Sequence, residues 1–153
     1  MLPHDRWLAV VRDAPLVSID LVLHDRQSRT LLGLRTNEPA KGTWFVPGGV
    51  IRKGERLAEA FERIAIYELG TRLHLDQATS LGVFEHHYNS NFAGVPDIKT
   101  HYVVLAYRCE ITQPLERLPK EQHQSYRWLH AAEILADPTV HENSKAYFRD
   151  FSK

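Results

Sequence analysis

Glu68 stands where an acid needs a reason. Placed on a helix over residues 55–69, at about 100° per residue, Leu57, Ala60, Phe61, Ile64 and Ala65 share one face, and Glu68 projects to the middle of it. Glu59, Glu62, Arg63 and Ile66 point elsewhere. A carboxylate on an apolar stripe costs on the order of several kcal/mol unless something pairs with it. A buried ion pair and a bound metal meet that demand equally well. One carboxylate alone is a poor metal site, because Mg²⁺ keeps several waters and takes one or two carboxylates together with substrate phosphates. If Glu68 holds Mg²⁺, a phosphate-bearing substrate should complete the shell. Just upstream, Gly48 and Gly49 let the backbone approach a ligand closely and free a carbonyl as an oxygen ligand. The remaining helix charges have plainer readings. Glu55 and Glu59 suit the positive end of the helix dipole, Glu62 is a solvated surface group, and Arg63 can bridge back to Glu59.

These residues need elements to position them. Leu16 to His24 alternates, with Val17, Ile19, Leu21 and Leu23 on one face and Ser18 and Asp20 on the other, which predicts a strand with Asp20 on its polar side. Residues 30–34 predict its hairpin partner. Residues 35–42 read as a loop, and Trp44-Phe45-Val46 as a short strand stopped by Pro47 and a Gly48-Gly49 turn. The helix should end at Gly70. A brief strand is expected over 73–76, and longer ones over 80–88 and 101–111. The polar loop 89–100 between these two has the length of a lid or binding loop. Residues 126–129 predict a last strand, 131–136 a short helix and 140–151 a closing helix; residues 8–11 make about one helical turn near the start. Strands before, around and after one central helix imply an α/β fold with a mixed sheet between helices.

The 153 residues predict one domain over 1–153, with room for a real core. Nineteen basic residues balance nineteen acidic ones, so no basic excess points to nucleic acid. No apolar run reaches the roughly 18 residues of a membrane span, and the polar start does not resemble a signal peptide. A single cysteine, Cys109, excludes an internal disulfide and fits a cytoplasmic protein.

Gly49, five residues, Glu55, seven residues, Arg63, then Glu68 and Gly70 resemble the Nudix box of the Nudix hydrolases, whose pattern reads G-x5-E-x7-R-E-U-x-E-E-x-G-U with U bulky and apolar. The chain departs from it at four places: Ile64 and Tyr67 replace two metal-binding acids, and Ala65 and Thr71 are weak at the apolar positions. One branch is similar in carrying the same loss, the GDP-mannose mannosyl hydrolases. The likeness runs over nearly the whole chain, through Trp44-Phe45-Val46-Pro47-Gly48-Gly49, Ala60-Phe61-Glu62-Arg63, Thr100-His101-Tyr102-Val103, Glu121-Gln122-His123, Tyr126-Arg127-Trp128-Leu129 and Ala146-Tyr147-Phe148.

That resemblance implies a Nudix fold and hydrolysis of GDP-mannose or a close nucleotide sugar to GDP and free sugar. Water would attack the anomeric carbon with inversion, rather than phosphorus. It implies one Mg²⁺ per subunit, with Mn²⁺ as an admissible substitute, held by a carbonyl of Gly49, by Glu68 and by Gln122. His123 would be the general base, a role suited to a group titrating near pH 6.5. Arg35 and Arg63 would neutralise the diphosphate. Where the branch has a further arginine after Gly-Gly, this chain has Val50, and Arg52 is the candidate substitute. Asp20, His86 and Tyr102 match positions near the sugar or the metal; of the neighbours His86 and His87, strand alternation lets only one face the site. The branch also implies a homodimer. A Nudix enzyme attacking phosphorus to give GMP and sugar 1-phosphate, and a nucleotide-sugar-binding module without turnover, are the alternatives.

Overall fold

The computed structural model describes residues 2–112, 118, 119 and 123–149, without the side chains of His123 and Gln124. Seven strands make one mixed sheet: β1 (Leu16–His24), β2 (Thr30–Arg35), β3 (Trp44–Phe45), β4 (Gly48–Val50), β5 (Thr79–Tyr88), β6 (Thr100–Glu110) and β7 (His123–Leu129). The path runs β3-β2-β1-β6-β5, with β4 added to β1 and β7 added to β2. Strand β1 is its axis. On one side it pairs in parallel with β6, from Leu16 opposite Tyr102 to His24 opposite Glu110. On the other side it pairs with β4 over Ser18 to Asp20, and with β2 only where His24 meets Thr30.

Helix α2 (Leu57–Leu69) covers one face of this sheet. Its Ala60, Phe61, Ile64, Ala65 and Leu69 join Ile19, Leu21, Leu23 and Leu31 in one core, and Phe61 meets Tyr107 edge-on with ring centroids 5.6 Å apart. Full burial of such a side chain is worth roughly 1.5–3 kcal/mol. Gly70 ends the helix in the left-handed region, φ 66°, its N–H bonded to Ile66 O, as the sequence predicts. Helix α3 (Ala131–Ala136), helix α4 (Glu142–Lys145) and a 3-10 turn (Ala146–Phe148) lie on the other side, where Ile134, Val140, Tyr147 and Phe148 pack with Leu32, Phe45, Val46 and Leu129. The expected mixed sheet between helices is what forms.

Several local expectations differ from the structure. The Gly48-Gly49 turn is a strand, β4. A Cβ on Gly48 would lie 2.4 Å from Asp20 Oδ1 and 2.6 Å from Ile19 O, and one on Gly49 would lie 3.0 Å from Ile64. The glycines serve close approach between strand, strand and helix rather than a reversal of the chain. The first helix, α1 (His4–Asp13), is longer than one turn, and its Trp7 reaches the ring of Phe92, 6.3 Å between centroids. Residues 73–76 make no strand; Leu75–Gln77 is a 3-10 turn, with Leu73 and Leu75 pinned in the core beside α2. Over its described part the expected closing helix is broken into α4 and the 3-10 turn, and residues 150 and 151 lie outside the described residues. Ser144 Oγ accepts from Val46 N at 3.0 Å and Tyr147 reaches Asp20, and these tertiary bonds hold the segment in place of a continuous helical ladder.

Candidate active site

Alternation puts Asp20 on the face of β1 away from α2, and the structure buries it there, at 7% exposure. Pairing aligns β6 and β5 so that Tyr102 and His86 stand opposite each other. Tyr147 arrives from the 3-10 turn, its hydroxyl donating to Asp20 Oδ2 at 2.5 Å and lying 3.3 Å from His86 Nε2. Rings close around this point: Tyr88 lies 6.0 Å from Tyr102 and 5.4 Å from His141, and Phe45 lies 5.9 Å from His86. Of the adjacent histidines, His86 is buried and His87 is exposed, stacked on His101 at 4.2 Å.

Burial sets the electrostatics. It raises the Asp20 carboxyl from 3.8 to about 7; the Tyr147 hydroxyl and the Arg35 charge oppose the rise, and the Glu68 charge adds to it. Burial lowers His86 from 6.5 to about 4, helped by His141 and His87, so its imidazole is neutral at pH 7. Burial raises the phenols of Tyr102 and Tyr88, which stay protonated. Arg35, at the end of β2, gives Nε to Pro39 O at 2.9 Å and acts electrostatically on Asp20, Tyr88, Tyr102 and His141. Among the described residues it is the cation whose charge reaches all four of these groups. The β2–β7 register sets Arg35 opposite His123, so the backbone of His123 borders the same site. The side chain of His123 and all of Gln122 lie outside the described residues.

Glu68 is buried at 4% exposure, as its helical face requires. It belongs to α2, beneath the sheet, yet its charge is felt by Asp20 and by Tyr126, whose phenol is raised to about 12 by burial first and by Glu68 second. Among the described residues no group of three or more His, Cys, Asp and Glu could hold an ion. Glu68 is a buried oxygen donor of the kind that a hard ion such as Mg²⁺ takes together with waters and phosphate oxygens.

Arg63 makes a different ion pair from the one expected within the helix. It does not bridge to Glu59. Its Nε and Nη2 grip Glu55 at 2.5 and 2.9 Å, and Nη2 also donates to Val50 O at 2.8 Å. Glu55 is reachable because residues 51–56 fold back over the start of α2, with Arg52 N donating to Glu55 Oε2 at 2.7 Å. This clasp lowers the Glu55 carboxyl from 4.5 to about 2. Arg52 itself is exposed. Glu62 is not simply solvated either; Arg72 lies 3.1 Å and His74 3.3 Å from it. The structure thus gathers Asp20, His86, Tyr102 and Arg35, keeps Glu68 on α2 with its charge felt at Asp20, and leaves Arg63 and Arg52 at the β4–α2 loop.

Sequence reasoning missed Tyr147, Tyr88 and His141. An Ala-Tyr-Phe run in a closing helix reads as core, and nothing local signals a bond to a residue 127 positions earlier. Asn91 was missed as well. It is fully buried, and its side chain bonds Val95 O, Ile98 O and the N–H groups of Ala93 and Val95, which organises the 89–100 loop.

A NUDIX domain family model matches residues 14–151, and the chain belongs to the Nudix hydrolase family. That membership implies a nucleotide-derived substrate and divalent metal ions such as Mg²⁺. It is 41% identical over 124 residues to the low-salt glycan biosynthesis protein Agl8 of Haloferax volcanii, covering 81% of this chain and 76% of that one. Among solved structures it is similar to a MutT NUDIX hydrolase from Burkholderia pseudomallei, with TM-score 0.70 and 25% identity over 89% of this chain and 97% of the other. The MutT protein from Methanosarcina mazei Go1 matches in fold, with TM-score 0.70 and 18% identity over 89% and 92%. No helix among the described residues is long and apolar enough to cross a membrane.

Proposed function

We propose that this chain hydrolyses a nucleoside-diphosphate sugar, GDP-mannose in the first instance, to the nucleoside diphosphate and free sugar, with water attacking the anomeric carbon. The observation that carries this reading is the poverty of α2 in buried acids. Of its side chains Ile64 is packed in the core, Tyr67 is 50% exposed, and Glu68 is the buried carboxylate. Attack at phosphorus asks for a richer acid cluster, whereas expulsion of a diphosphate from carbon asks mainly for charge neutralisation of the leaving group. The name of the relative Agl8 ties that protein to glycan biosynthesis, which supports a sugar-bearing nucleotide.

In this reading the Gly49 carbonyl, Glu68 and Gln122 would hold Mg²⁺, which when bound supplies positive charge to the diphosphate. Arg35 neutralises the phosphates from the other side, with Arg52 standing in for the arginine absent at Val50. Arg63 serves them by holding the Val50 carbonyl, and so the end of β4, in place. Asp20, His86 and Tyr102 bind the sugar side. His123, across from Arg35 in the β-ladder, takes the proton from the attacking water. A cytoplasmic homodimer belongs to the same proposal.

A panel of nucleotide sugars with Mg²⁺, followed by phosphorus and proton NMR, tests it. Nucleoside diphosphate and free sugar of inverted configuration are expected. Nucleoside monophosphate and sugar 1-phosphate would establish attack at phosphorus instead. Val50 favours one further reading, a binding module, since its side chain offers nothing to phosphate; tight binding of GDP-mannose without turnover at saturating Mg²⁺ would establish that one.

A further inference from the structure

We propose that Tyr147 is a positioning residue of this site, a clasp by which the C-terminal segment fixes Asp20 and His86 relative to each other. The proposal rests on the reading above for its kinetic consequence and on geometry alone for the clasp. Asp20 comes from β1 and His86 from β5, with β6 between them. Two strands apart, neither side chain is oriented by the other. The Tyr147 hydroxyl spans the gap, donating to Asp20 Oδ2 at 2.5 Å and lying 3.3 Å from His86 Nε2.

A phenol has one proton to give. Given to Asp20, it leaves the oxygen as acceptor toward His86, which selects the imidazole tautomer protonated at Nε2. The chain of bonds then has one direction, His86 Nε2–H to Tyr147 Oη, and Tyr147 Oη–H to Asp20. A tautomer fixed in this way leaves Nδ1 as the acceptor of His86. The ring of Tyr147 is itself held edge-on by Phe84, 4.8 Å between centroids. The backbone that carries it is anchored by Ser144 Oγ accepting from Val46 N. The hydroxyl is thus held through its own ring and through the helix just before it, as a positioning group must be.

The experiment uses the full chain with Tyr147→Phe, which keeps the ring and its contact with Phe84. In the uniformly ¹⁵N-labelled protein without substrate, the His86 ring nitrogens should report the Nε2–H tautomer in the wild type and a mixture of both tautomers in Y147F. With the substrate found by the panel, kcat should fall roughly 10- to 100-fold, the worth of one lost bond to a charged group, with KM changed less than about threefold, because orientation matters most in the transition state. Combining Y147F with Asp20→Asn should add little to the loss caused by D20N alone. Unchanged His86 resonances in Y147F overturn the clasp, whatever reaction the chain catalyses. Altered resonances with unchanged kcat, or losses from Y147F and D20N that simply multiply, overturn the positioning role. Should Y147F fold poorly, Ser144→Ala weakens the same anchor and should shift the His86 tautomer in the same direction; a fixed tautomer there also overturns the proposal.

Discussion

Replacing Arg63 with alanine separates two employments of one guanidinium. In the structure it clasps Glu55 through two nitrogens and also holds the Val50 carbonyl. The carboxyl of Glu55 falls from its ordinary 4.5 to about 2, the hydrogen bond from Arg63 being the largest cause, with Arg52 N–H assisting against the cost of burial. At about 1.4 kcal/mol per pH unit, that interval corresponds to roughly 3 kcal/mol. The side chains of Arg63 and Glu55 keep 28% and 18% exposure, and water screens such a pair, so about 1–2 kcal/mol is the working figure. Loss of the donor to Val50 O adds about 1 kcal/mol. Arg63→Ala should therefore destabilise the fold by about 2–3 kcal/mol at pH 7 in urea denaturation. The folded-state value of Glu55 is depressed, so its contribution is fully present above pH 4.5 and is lost as pH falls through about 2. The gap between wild type and R63A should narrow across that window. A double-mutant cycle with Glu55→Gln should return a coupling of about 1–2 kcal/mol. Unchanged stability in R63A at pH 7, together with loss of GDP binding, would refute the clasp and make Arg63 a phosphate ligand.

Three further substitutions probe the site. Asp20→Asn should stabilise the metal-free protein above pH 7, because burial raises the folded-state value of Asp20 from 3.8 to about 7; the wild type loses stability as pH rises through that interval, so the advantage of D20N should vanish below about pH 4 in thermal melts. Glu68→Gln should abolish the rise in Tm that Mg²⁺ with GDP gives the wild type; a persisting rise would place the ion elsewhere. His123→Gln should lower kcat by about 10²–10⁴ while calorimetry still detects Mg²⁺ and GDP binding; a retained rate would remove His123 from the chemistry.

What could be read from the sequence was what repeats or is chemically singular. The alternation of β1 and the apolar stripe of α2 are periodic, and Gly70 is needed because its φ is positive. Glu68 was visible as an acid in phase with an apolar face, and its burial follows directly. Other features depend on partners distant in the chain. Strand β4 has three residues, two of them glycine, and exists through its pairing with β1. Arg63 finds Glu55 eight positions back rather than Glu59, since the loop before α2 folds over its first turn. The burial of Asp20 on the polar face of β1 is not legible until the C-terminal segment lies over it, and Tyr147 meets it only through that cover. The Nudix family membership was legible because the box fixes residue types by spacing. The order in which a buried polar network is joined is not written in any spacing.

Turnover of GDP-mannose with Mg²⁺ in water enriched in ¹⁸O tests the central claim most directly. Mass spectrometry should find the label on the anomeric hydroxyl of the released sugar and none in the nucleotide. Label in a phosphate group, on either product, would mean that water attacks phosphorus and would contradict the account.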